Sequence, residues 1–121
     1  REPVKRLIED HYEDKTENFK VNEYFDFREM LEKEQGLDAV CCSTPDNTHA
    51  FVTYASMKLG KHVYCEKPLT HNIWEARMIK QLTKETGLAT QMGNVGHSTD
   101  GIRQTVEYLR AGVIGYLLLG G

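Results

Sequence analysis

The sequence predicts an α/β fold, a parallel sheet with flanking helices. Three short apolar runs, Leu37 to Cys42, His62 to Cys65 and Leu88 to Met92, are each followed by a longer stretch with apolar residues at helical spacing. Gly60, Gly87 and Gly112 stand where those helices should stop. Strand, helix, strand, helix, strand, helix is the order produced by parallel strands joined through helical crossovers.

The elements follow in order. Val4, Leu7, Ile8 and Tyr12 recur at helical spacing behind Pro3, a residue tolerated in a first turn, so the chain opens with a short amphipathic helix. Glu13 to Asn18 breaks the pattern as a polar loop. Val21 to Phe25 reads as a brief strand, and Phe27, Met30 and Leu31 as a helix that Gly36 terminates. Leu37 to Cys42, between Gly36 and Ser43-Thr44-Pro45-Asp46, suits a strand buried on both faces. Phe51, Val52, Ala55 and Leu59 give a helix capped by Asp46 and Asn47 and ended by Gly60. His62 to Cys65 is the next strand. Asn72 and Glu75 form a variant capping box for a helix striped by Ile73, Ala76, Ile79 and Leu82, with Gly87 as its stop. Leu88 to Met92 is the third strand, and Ile102, Val106 and Leu109 mark a helix ending near Gly112. Gly112 to Gly121 is left open, as a further strand or an artificial ending. No repeat, linker or low-complexity tract divides the chain, so residues 1–121 read as one partial domain.

Composition narrows the function. With 121 residues and 40% hydrophobic content the chain has material for one core and is not of disordered composition. A net charge of −3 and no dense Lys/Arg cluster give no footing for a nucleic-acid partner. No apolar run approaches the roughly 20 residues of a membrane span. Cys41, Cys42 and Cys65 fall inside apolar runs, two of them adjacent, a poor pattern for disulfides or zinc and a good one for buried thiols in a reducing cytosol. The chain opens on Arg1 without a signal-like segment, so its natural start is expected to lie upstream.

Three loops should meet at the carboxyl edge of the sheet, where open α/β sheets hold ligands: Ser43 to His49, Glu66 to Thr70, and Gly93 to Ser98. Ser43, Thr44, Asp46 and Asn47 serve either as helix caps or, with the helix's first N–H groups, as partners for an anion or carboxamide. Lys67 is either a solvated lysine or, at a crevice rim with Glu66 orienting it, a proton-transfer group; Pro68 beyond it is a candidate for a cis bond. His49 is either a packing group of the helix's first turn or, like His97, a site residue. Gly93, Gly96 and Gly101 do not make a dinucleotide fingerprint.

Ser43-Thr44-Pro45-Asp46-Asn47-Thr48-His49, then Gly60-Lys61-His62-Val63-Tyr64-Cys65-Glu66-Lys67-Pro68-Leu69, then Gln91-Met92-Gly93-Asn94, resembles the Gfo/Idh/MocA family of nicotinamide-dependent oxidoreductases. The resemblance spans roughly Val21 to Gly115. It implies an N-terminal Rossmann domain binding NAD or NADP and a C-terminal, mostly β-sheet substrate domain. By match, Lys67 is the catalytic lysine beside nicotinamide and substrate, Glu66 approaches the cofactor, Ser43, Thr44, Pro45, Asn47 and His49 line its cleft, and Asn94 meets the nicotinamide end or the substrate. No metal is implied.

The family's glycine turn with its first βαβ unit, and its substrate domain, have no counterpart in these residues, so the chain is expected to be the second half of a cofactor domain and inactive alone. The full protein is expected to be a cytoplasmic, homo-oligomeric dehydrogenase of a sugar or polyol. Two other readings stand beside it: a glycoside hydrolase that uses bound NAD for transient oxidation, and a non-catalytic fragment or assembly module.

Overall fold

The computed structural model describes residues 2–16, 19–113 and 115, which form two compact units, residues 1–36 and 37–121. In the first, α1 (Glu2–Tyr12) has Pro3 in its first turn, as its spacing predicts, but buries no residue among those described. Tyr12 stacks on Phe19 at 4.6 Å. α2 (Phe27–Lys33) is capped by Asp26, whose carboxylate accepts from the Arg28 N–H at 2.9 Å. The Arg28 guanidinium also holds that carboxyl below its ordinary range.

Two expectations fail in this unit. Val21 to Phe25 is not a strand: among the described residues no strand pairs with it, and its polar groups bond elsewhere. The Asn22 amide and the Tyr24 hydroxyl both donate to Glu34 Oε1 at 2.6 Å. That carboxylate lifts the Tyr24 phenol above its usual range and is itself held low. Gly36 does not end α2 either. Glu34 leaves helical geometry first, at φ −95° and ψ 68°, while its N–H closes on the Met30 carbonyl at 2.9 Å.

The second unit is a three-stranded parallel sheet of order β1-β2-β3, with β1 Ala39–Cys42, β2 His62–Cys65 and β3 Thr90–Met92. Cys42 lies opposite Cys65, and Cys65 opposite Met92. α3 (His49–Lys58) and α4 (Ile73–Thr86) are the crossovers, and α3 packs on β1, β2 and α4. α4 starts at Asn72, whose side chain accepts from the Glu75 N–H at 2.9 Å; the Glu75 carboxylate accepts from His71 N–H at 2.8 Å. It ends at Gly87, where φ +64° is open to glycine at little cost. α5 (Asp100–Arg110) follows a single turn at Val95–Ser98. The Tyr116 to Gly121 tail lies outside the described residues.

The strands are not buried on both faces as the apolar run of β1 suggested. Burial alternates: Val40, Cys42, Val63 and Cys65 are covered on the α3 side, whereas Ala39, Cys41, His62 and Tyr64 are exposed on the other. That second face is an open concavity of about 540 Å³ floored by residues of all three strands. The buried side of α3 also departs from the apolar stripe: Phe51 and Leu59 are exposed, while His49, Ala50, Val52, Thr53, Ser56 and Met57 are buried. Small residues at 50, 53 and 56 let α3 sit close to the sheet. Ser56 meets its hydrogen-bonding need by donating to the Val52 carbonyl at 2.8 Å.

Of the three thiols predicted to be buried, Cys41 is exposed, because it points to the uncovered face. Burial pushes the Cys65 thiol up to about 11, with a smaller opposing effect from Thr53. Protonated and enclosed, it should resist alkylation. Native chain at pH 8 should therefore react at one thiol with a maleimide or aryl disulfide, and at all three in denaturant. Three fast-reacting thiols under native conditions would contradict this packing.

Candidate functional site

The ladder itself carries the site residues to the carboxyl edge. The Glu66 N–H donates to the Cys42 carbonyl at 2.9 Å, and the Gly93 N–H to the Cys65 carbonyl at 2.7 Å, so each loop begins alongside the strand it must face. Beyond these bonds, Tyr64, Glu66, Gln91, Met92, Asn94, Val95, His97 and Ser98 line a cavity of about 680 Å³. This lies within the ~300–1,000 Å³ of ordinary small-molecule sites. Glu66 and Asn94, two of the residues singled out from sequence, share this cavity.

The loop after β1 is built differently from the expected capped helix. Asp46 and Asn47 do not cap α3; with Thr48 they form a single 3₁₀ turn following extended Pro45. The turn begins the helical path early, and α3 has no side-chain cap. The Thr48 hydroxyl instead stands 2.7 Å from both the Thr44 hydroxyl and the Pro45 carbonyl. Ser43, Thr44, Pro45 and Asn47 are exposed around this turn.

His49 joins this loop to the next. Its ring is 2% exposed, with Nδ1 2.6 Å from the Pro68 carbonyl oxygen and Nε2 2.7 Å from the Thr44 carbonyl oxygen. Both carbonyls can only accept, so either neutral tautomer ties one loop by an N–H bond and a doubly protonated ring ties both. The placement suits a support under the cleft floor. Cys42, His49 and Cys65 bring their ligand atoms within 4.8 Å of one another in the core. With each imidazole nitrogen already facing a carbonyl, no ring lone pair is left directed at a metal between the two sulfurs.

Lys67 follows Glu66 directly, is exposed, and is joined to Pro68 by a cis peptide bond. The carboxylate expected to orient it is half-buried, and its Oε2 and the Tyr64 hydroxyl oxygen both crowd the space over Gly93. Tyr64 lines the cavity without having been singled out from the sequence. Period-two alternation could have found Tyr64, two residues before Glu66 on the same strand face. A carboxylate beside an amide suits a ligand with hydroxyl donors and a carboxamide, the groups found on the nicotinamide riboside half of a dinucleotide.

Polar loops gathered beyond the carboxyl ends of a parallel sheet define a Rossmann-type nucleotide-binding unit. Residues 6–94 match the Gfo/Idh/MocA oxidoreductase family, described as an NAD-binding Rossmann fold, and the chain belongs to that family. It is 33% identical over 87 residues to the NAD(+)-dependent scyllo-inositol 2-dehydrogenase of Bacillus subtilis, covering 72% of this chain and 25% of that protein. It is 35% identical over 83 residues to myo-inositol 2-dehydrogenase of Thermotoga maritima, covering 67% and 25% respectively. Among solved structures, an inositol dehydrogenase homolog from Azotobacter vinelandii complexed with NADH and myo-inositol superposes with TM-score 0.64 at 29% identity, over 76% of this chain and 25% of that one. A 3-ketoreductase from Actinomadura kijaniata complexed with TDP-benzene and NADP superposes with TM-score 0.72 at 26% identity, over 97% and 35%. The chain thus spans about a quarter of the length of the curated relatives. No helix among the described residues is long and apolar enough to cross a membrane.

Replacing His49 by alanine removes the tie between the two loops and opens a cavity in the core. Unfolding in urea should show a loss of about 2–4 kcal/mol. A change within about 0.5 kcal/mol would mean that the two loops hold themselves.

Proposed function

We propose that the protein carrying this chain oxidises a hydroxyl-bearing carbon of a sugar, polyol or related small molecule, with NAD or NADP as its redox partner. What supports this reading is that Glu66 and Asn94 line one cavity beyond the carboxyl ends of the parallel strands, with Lys67 on the residue after Glu66. The inositol dehydrogenases among the relatives favour a polyol. The bound nicotinamide would supply the carbon that takes up or returns hydride.

The chain's own residues divide the remaining work. Glu66 would accept a hydrogen bond from a ligand hydroxyl, and Asn94 would offer its amide to the carboxamide end or the substrate. Ser43, Thr44, Pro45 and Asn47 would line the cleft, with His49 beneath them as support. Lys67, exposed and on the residue after Glu66, has the reach to hold the substrate hydroxyl and move its proton at Nζ. Holding proton acceptor and ligand in one crevice converts an encounter into a positioned reaction.

Lys67→Ala in that protein should lower kcat by about 10²–10⁴ while dinucleotide affinity and the unfolding transition stay near those of the parent. NAD(P)H absorbance with a panel of inositols and sugars, alongside fluorescence titration of the dinucleotide, measures both. Undiminished turnover would reject the role of Lys67.

A further inference from the structure

We propose that Tyr64 is a positioning residue for Glu66: its hydroxyl engages the carboxylate, and both groups are seated over Gly93, so the carboxylate keeps one orientation on the cavity wall. What Glu66 does for a ligand rests on the function proposed above. The seating does not.

Tyr64 lies in β2 and Glu66 is the first residue after it, its N–H still bonded to the Cys42 carbonyl, and both side chains reach the space over Gly93. The neighbouring loop runs alongside because the Gly93 N–H is bonded to the Cys65 carbonyl at 2.7 Å. A Cβ built on Gly93 would lie 2.5 Å from Glu66 Oε2 and 2.6 Å from the Tyr64 hydroxyl oxygen. The two oxygens therefore converge on one spot above a residue that must lack a side chain, while Gly93 keeps an ordinary backbone conformation.

Loss of water lifts the Tyr64 phenol above its ordinary range first, and the Glu66 charge adds to it, so at neutral pH the phenol is a donor. A half-buried carboxylate free to turn would spend part of its time facing away from the cavity. A donor on one side and a glycine floor beneath limit that freedom. Lys67, on the adjacent residue, is left unencumbered by this pair.

The test has two arms. In the 121-residue chain labelled with ¹³Cζ-tyrosine, Tyr64→Phe assigns one resonance of six. At pH 7 that resonance should move upfield in Glu66→Gln and in Gly93→Ala, the five others staying in place. Gly93→Ala displaces only side-chain tips and should still fold, which the unchanged resonances check. An unmoved Tyr64 resonance in both variants would overturn the pairing. In the protein carrying this chain, Tyr64→Phe should lower kcat/KM by about tenfold, the size of one hydrogen bond to a charged group, and should have little further effect in a Glu66→Gln background. Equal losses in both backgrounds would show that Tyr64 does not act through Glu66. Absence of NAD(P)H turnover in the unsubstituted protein would reject the dehydrogenase reading and leave the resonance shifts to decide the pairing.

Discussion

The buried imidazole of His49 is the constraint on which the rest of the site depends. It lies at the first residue of α3, between the Thr44 carbonyl and the Pro68 carbonyl, and so couples the loop after β1 to the loop after β2. An imidazole is long and flat enough to face both carbonyls from one position, donating to one of them when neutral and to both when doubly protonated. Because Pro68 follows Lys67, the same contact fixes where the exposed lysine leaves the sheet edge.

Above this support, the alternation of the strands separates packing from chemistry. Cys42 and Cys65 point toward α3 and stay inert; Tyr64 points the other way and meets Glu66. The small buried residues of α3 make the first arrangement possible. Ala50, Thr53 and Ser56 let helix and sheet approach, and larger apolar side chains in those positions would push the helix away and with it His49.

Neighbouring residues acquire different environments from this geometry. Glu66 is half-buried on the wall of a cavity and shares the space over Gly93 with the Tyr64 hydroxyl; Lys67 is exposed beyond it. The orienting partner of Glu66 is the tyrosine two residues earlier, not the lysine beside it. A charged pair that reads as one unit in the sequence works as two separate groups in the fold.

Much of the fold was legible in advance because its signals are local. The bounds of β2 and the Asn72 cap and Gly87 stop of α4 depend on alternation, one side chain bonding a nearby N–H, and one residue free to take φ +64°. The motif residues Thr44, Glu66, Lys67 and Asn94 could likewise be placed at one edge, since parallel strands joined by helices put all their following loops on the same side. What the sequence could not decide depends on which surfaces are covered. Tertiary structure turned Val21 to Phe25 from an apparent strand into a segment tied by side chains to Glu34, exposed Cys41 beside buried Cys42, and set Asp46 and Asn47 in a 3₁₀ turn that caps nothing. It also set His49 between two carbonyls and Tyr64 against Glu66 across Gly93, partnerships made by packing and interstrand register rather than by neighbours in the chain.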